Sequence, residues 1–361
     1  MKKTISILAS AFGLMVISCS KTDPQPELNI NYPSAYVVNG AAGTLSVINL
    51  TTNEVADVIQ LTDNTSSAGH NGHGSSNISL LQYPHHVYLN PAKNQIAVAV
   101  PGVDLSEGHG LAHTGTHTGG AKVAVLDAVK GQNIKLIDVP LMNHNAVYTA
   151  DGKEIWTSQM DLKGTVLVYD AATYALKNTI NVGKEPTEVT FSADGSVAFV
   201  ANGADNTVSA INPTTKTIIA TIAVGKNPVG AWTGTDNRMY ADNEDGQTVS
   251  VIDVKTLKVV ETVNLGFMPG YAAFNGDTKE LWVTDPTAAK VHWWKQDANK
   301  KFVKGGTIAT AAGTHAIAFK GLVAYITNQE AANVSVVDVL KHEKIKDIKV
   351  GEKPNGIVLK F

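Results

Sequence analysis

A unit of about 42 residues recurs through most of this chain. Its cleanest copy, residues 187–228, holds four short β-branched runs, Glu188–Phe191, Val197–Ala201, Thr207–Ile211 and Thr217–Ile222. Ala-Asp-Gly, Gly-Ala-Asp-Asn and Pro-Thr-Thr-Lys separate them, and each of these is a turn signal. The unit is therefore expected to be a four-stranded antiparallel meander. Its third strand ends at Asn212, and equivalent strands end at Asn49, Asp127, Asp170, Asp253 and Asp338, with Val291–Lys295 filling the remaining slot. Seven third strands predict an all-β, seven-bladed β-propeller with four-stranded blades. The count also predicts how the ring closes. Ala35–Asn39 is a second strand with no first strand before it, and Pro354–Lys360 is a first strand with nothing after it. The two ends should share blade 1 and leave no open sheet edge there.

At 361 residues the chain is long enough for two domains, but the repeat argues for one unit over 34–361. The formal net charge is −3 and no basic stripe is present, so a grip on nucleic acid through many phosphate contacts is not expected. The protein is expected to be a monomer.

The first residues follow a different pattern. Lys2 and Lys3 precede an apolar run from Ile5 to Ile17, too short to span a bilayer as a stable helix, and Ser18-Cys19 follows. This arrangement resembles a bacterial lipoprotein signal. The resemblance implies a signal peptide over 1–18, lipidation at Cys19, and a cell-envelope location with attachment to the outer membrane through the lipid alone. Residues 19–33 are polar and Pro-rich and are expected to be a tether. Cys19 is the only cysteine, which excludes a disulfide, a thiolate zinc site and a Cys-x-x-Cys-His haem attachment.

Two insertions flank blade 2: about twenty residues ending at Pro84, rich in Asn, Ser, Gly and His, and a second from Pro101 to Gly120. In an up-and-down blade the start of the first strand, the loop between strands two and three, and the connection to the next blade all lie on one face. Aligning the blades gives one residue each at the mouth of the axial tunnel on that face: Asn355, His85, His144, Thr187, Val229, Gly270 and His315. The next position inward adds His86 and Glu188. Of eleven histidines, His70, His73, His85, His86, His109, His113, His117, His144 and His315 map to this face, and His292 and His342 do not. Imidazole suits zinc and copper at a site that lacks thiolates, so a transition metal, copper or zinc, is the expected cofactor. Glu188 is expected to ligate, orient an imidazole, or act as a general base.

The second strands Tyr36–Asn39, Phe199–Asn202 and Tyr325–Asn328 resemble the Tyr-Val-Thr-Asn repeats of YncE-like seven-bladed propellers, a resemblance running from Ala35 to Phe361. It implies the fold and leaves the function open. The His85-His86 start of blade 2, with His144 and His315 opening blades 3 and 7, is similar to the propeller of nitrous oxide reductases, whose copper cluster is held by histidines at such positions. Thr187, Val229 and Gly270 stand where further imidazoles would be needed, so the resemblance implies one or two ions rather than a larger cluster.

Three readings follow. The first is an envelope lipoprotein that binds a metal ion for sequestration, delivery or sensing, with His85, His144 and His315 as ligands and His86, Glu188 and the loop histidines in support. The second is a metal-dependent hydrolase or oxidoreductase with Glu188 as its base, a reading weakened by the lack of a Gly-x-Ser-x-Gly nucleophile motif. The third is a scaffold whose insertions recognise a cell-envelope protein or a glycan.

Overall fold

A computed structural model of the protein describes residues 27–63, 79–106 and 120–361. Cys19, His70, His73, His109, His113 and His117 lie outside the described residues. The described chain forms seven four-stranded antiparallel sheets and one two-stranded ribbon, Thr62–Asp63 with Ser79–Leu80. Blade 1 is closed as expected. Pro354–Lys360 lies antiparallel to Ser34–Asn39, with Ser34 opposite Lys360 and Val37 opposite Ile357. Blades 2 to 7 follow in chain order, each with its first strand innermost.

Burial explains why the strands differ in composition. Middle strands such as Gln95–Val100 and Lys122–Asp127 are covered on both faces by neighbouring blades and are almost continuously apolar. Outer strands such as Lys258–Asn264 bury one face for most of their length and alternate accordingly. The apolar contacts form separate clusters between neighbouring blades, for example Tyr36, Val47, Val98 and Leu126 between blades 1 and 2.

The Asn that ends the second strands has a specific task. Asn39 Nδ2 donates to Thr44 Oγ1 at 3.0 Å and Ser46 Oγ at 2.9 Å. Asn202 makes the same pair of bonds to Thr207 and Ser209, Asn243 to Thr248 and Ser250, and Asn328 to Asn333 Oδ1 and Ser335. Each amide pins the hairpin between strands two and three. A glycine of the preceding connection lies against it in three blades: a Cβ on Gly183, Gly225 or Gly351 would come within 2.6–2.7 Å of Asn202, Asn243 or Asn39. Blade 6 replaces the pair with Asp285 and His292, whose Oδ2 and Nε2 are 3.4 Å apart. His292 therefore sits beside the strand two–three hairpin, on the face from which alignment excluded it.

The end of the expected tether belongs to the fold. Ile30 is fully buried and its N–H donates to Val129 O at 2.9 Å, Leu28 packs on the cluster between blades 1 and 2, and Tyr32 donates to Asp57 at 2.5 Å.

Removing the Asn202 amide leaves Thr207 and Ser209 without their shared donor, so Asn202→Ala should destabilise the protein by about 2 kcal/mol. Gly183→Ala should cost about 1–3 kcal/mol by forcing that amide aside. Urea denaturation of each variant checks both values.

Candidate metal centre at the tunnel mouth

Consecutive residues of a regular strand point to opposite faces, yet His85 and His86 both turn into the tunnel mouth. They stand before the short strand Val87–Leu89, held by His85 N–H to Ala99 O at 2.9 Å and Ala99 N–H to His86 O at 3.2 Å. The same point of the first strand is irregular in other blades, with register shifts between Pro186 and Val189, between Pro228 and Gly230, and between Thr314 and Ile317. Such bulges re-aim side chains, and here they bring two successive positions per blade towards the axis. Gly356 of blade 1 backs onto the histidine pair. Its N–H donates to His85 O at 3.2 Å, and a Cβ there would come 2.8 Å from His86 Cα.

The imidazoles expected to meet do meet. Ring centroids of His85 and His144 are 4.3 Å apart, those of His85 and His86 4.5 Å, and those of His86 and His144 5.0 Å. One nitrogen from each of these three buried rings lies within 4.8 Å of the others. His315, expected to be an equal partner, is a step further out, with its centroid 6.3 Å from His85 and 6.0 Å from His86. The convergent set is His85, His86 and His144, with the adjacent pair from blade 2 supplying two of the three.

Glu188, fully buried, sits against this set. Its Oε1 is 3.0 Å from His144 Nδ1 in a hydrogen bond and 3.1 Å from His86 Nε2 in a charge contact. The His86 contact meets the distance but not the angle of a hydrogen bond, so the His144 contact is the stronger constraint. With Glu188 ionised, this bond places the His144 proton on Nδ1 and leaves Nε2 as the lone-pair nitrogen. Burial pushes the Glu188 carboxyl well above its usual range, Asp242 adds to the rise, and a hydrogen bond from Tyr88 opposes it.

Several buried polar groups at this mouth escaped the sequence reading. Asp242 is fully buried on the second strand of blade 5, where its Oδ1 accepts from Gly230 N–H at 2.9 Å and Trp232 Nε1 at 2.8 Å. Burial, with Glu244 nearby, pushes its carboxyl up to about 7. Glu185 and Glu244 are also buried, at 4% and 8% exposure. The mouth is thus divided, with imidazoles on blades 2, 3 and 7 and carboxylates on blades 4 and 5. Asp242 follows Ala241 and precedes Asn243, and in sequence it is indistinguishable from the turn residues that end other strands. Met142 and Met160 pack with Leu105 in a small apolar cluster, and Met268 is half exposed.

The model of the YNCE-like beta-propeller family matches residues 188–318. The YncE proteins of Salmonella typhi and Salmonella typhimurium, both described as uncharacterized, are 26% identical over 176 residues, 46% of this chain and 49% of each of theirs. The match spans about half the length of these curated relatives. The periplasmic gluconolactonase of Pseudomonas aeruginosa aligns with a TM-score of 0.65 at 14% identity, over 91% of this chain and 99% of that one. The hydrazine synthase of Kuenenia stuttgartiensis aligns at 0.63 with 16% identity, over 80% and 91%. At such identities the likeness is one of fold.

Nitrogen-15 spectra should show neutral His144 protonated on Nδ1, and Glu188→Ala should abolish that preference. A second expectation concerns pH. The folded-state pKa of Asp242 lies above its unfolded value of about 3.9, so the unfolded state gives up the proton first. Stability should fall as pH rises from about 4 to about 7, and Asp242→Asn should flatten that fall in melting temperatures measured across the range.

Proposed function

This chain is a YncE-like seven-bladed β-propeller, and we propose that it binds one transition-metal ion, copper or zinc, at the histidine mouth of its tunnel. The observation that carries the proposal is the convergence of three buried imidazoles from two blades, with nitrogens inside 4.8 Å. An ion with bonds of about 2 Å would hold tetrahedral nitrogens about 3.4 Å apart, so loading draws the three rings together by about 1 Å.

His85, His86 and His144 are the ligands in this reading. Glu188 holds His144 in the tautomer a ligand needs, and the ion in turn offsets the cost of the buried carboxylate. That engagement supports an orienting role for Glu188 over the role of a general base. His315 completes the imidazole wall, and His70, His73, His109, His113 and His117 recruit the ion from solvent. A lipid on Cys19 would keep the propeller at the outer membrane, where sequestration or delivery of metal is the role that suits a stoichiometric site.

Elemental analysis after loading with copper or zinc and exhaustive dialysis tests the proposal. One ion per chain is expected, lost in His85→Ala and His144→Ala, with Glu188→Gln binding roughly 10–100-fold more weakly. Metal-free protein after loading, or full occupancy in the two alanine variants, would overturn it.

A further inference from the structure

The opposite end of the same tunnel carries different chemistry. First strands run from the histidine mouth to their turns with strands two, and around those turns lies a cavity of about 460 Å3. Blades 2 to 7 each contribute an aromatic ring to its lining: Tyr88, Tyr148, Phe191, Trp232, Phe274 and Phe319. Tyr271 lies at the inner end beside Trp232, with ring centroids 3.8 Å apart and planes 33° from parallel. This pair separates the cavity from the metal centre, since the His86 ring is 5.9 Å from Trp232 and 6.4 Å from Tyr271.

The space exists because equivalent positions are filled unequally. Where blade 2 has Tyr88 and blade 5 has Trp232, blade 3 has Val147, blade 4 Thr190 and blade 6 Ala273. Large rings on blades 2 and 5, with small residues on the blades between and beside them, leave a recess between the pair of Trp232 and Tyr271 and the turns.

Two features define what fits. The lining contains no Lys, Arg, Asp, Glu or His, so an anion would be desolvated there with nothing to pair with it, and a cation would meet ring faces in place of a carboxylate. The Ser and Thr hydroxyls that line it are engaged within the protein: Thr190 donates to Ala231 O, Thr233 to Phe191 O at 2.6 Å, Ser192 to Asp194 at 2.6 Å and Thr149 to Asp151 at 2.7 Å. What remains to offer is ring surface, which packs best against another flat ring. The volume lies in the range of small-molecule sites.

We propose that this cavity is a binding site for an uncharged, flat aromatic molecule of one or two fused rings, entering from the face opposite the histidines. The proposal does not depend on metal binding.

Isothermal titration calorimetry with 2-naphthol tests it, with 2-naphthalenesulfonate and a naphthylmethyl trimethylammonium ion as charged comparators. Saturable one-site binding of 2-naphthol is expected, with a negative heat-capacity change and at least tenfold weaker binding of both ions. Ala273→Phe fills the recess and should weaken 2-naphthol binding at least tenfold, with the melting temperature and the metal content after loading unchanged. If that variant does not fold, Ala150→Trp decides the matter, because Ala150 lies exposed at the rim of the cavity and a ring there should obstruct entry to a similar extent. No saturable heat with 2-naphthol, equal binding of either ion, or unchanged affinity in the folded variants would overturn the proposal.

Discussion

The pairing of the last strand with the first is the contact on which the rest of the molecule depends. Pro354–Lys360 completes blade 1 from inside, so every first strand, including the one supplied by the C-terminal end, takes a place on the axis. Hydrogen bonds at the mouth then tie blade to blade: Ser158 of blade 3 to Thr187 O of blade 4, Thr187 to Val229 O of blade 5 at 2.6 Å, Thr327 of blade 7 to Asn355 O of blade 1 at 2.7 Å, and Gly356 to His85 O of blade 2 at 3.2 Å. Closure turns residues far apart in sequence into neighbours and holds them on rigid elements, the condition for a precise ligand set.

Within that frame the chemistry is set by what each blade places at two axial positions. Bulged first strands deliver both to the tunnel, so blade 2 can present His85 and His86 together while blade 3 presents His144. Glu188 is buried against His86 and His144, Asp242 is buried beyond it, and burial pushes both carboxyls upward. A cation at the imidazoles would counter that pressure on Glu188. Below this polar layer the paired rings of Trp232 and Tyr271 stand at the inner end of the cavity, whose lining is aromatic and uncharged down to the turns. One channel thus joins a polar, imidazole-lined mouth to an uncharged aromatic cavity.

Much of this was legible in the residues because the repeat carries its own register. The Tyr-Val-Thr-Asn strands, the Pro that opens five of the seven first strands and the Asp-Gly turns align the blades without coordinates, and that alignment placed His85, His86, His144 and Glu188 at one opening. The structure changes their ranking: His86 belongs with the convergent imidazoles and His315 stands a step outside them, since a bulge cannot be read from strand alternation. Asp242 was hidden because a carboxylate near the end of a strand ordinarily marks a turn. His292 was misplaced because its partner Asp285 stands where four other blades have Asn, and only the Asn–Ser geometry of those blades shows what the substitution does. The aromatic cavity depends on a contrast in side-chain size between blades, which becomes visible only once positions around the ring are superposed in space.

The central claim is that imidazoles from blades 2 and 3 share one ion. X-ray absorption spectroscopy of the copper- or zinc-loaded protein tests it most directly. The account predicts a first shell with about three nitrogens near 2.0 Å and the multiple-scattering signature of imidazole. A shell of oxygen alone, or a spectrum identical to that of the ion in buffer, would contradict it.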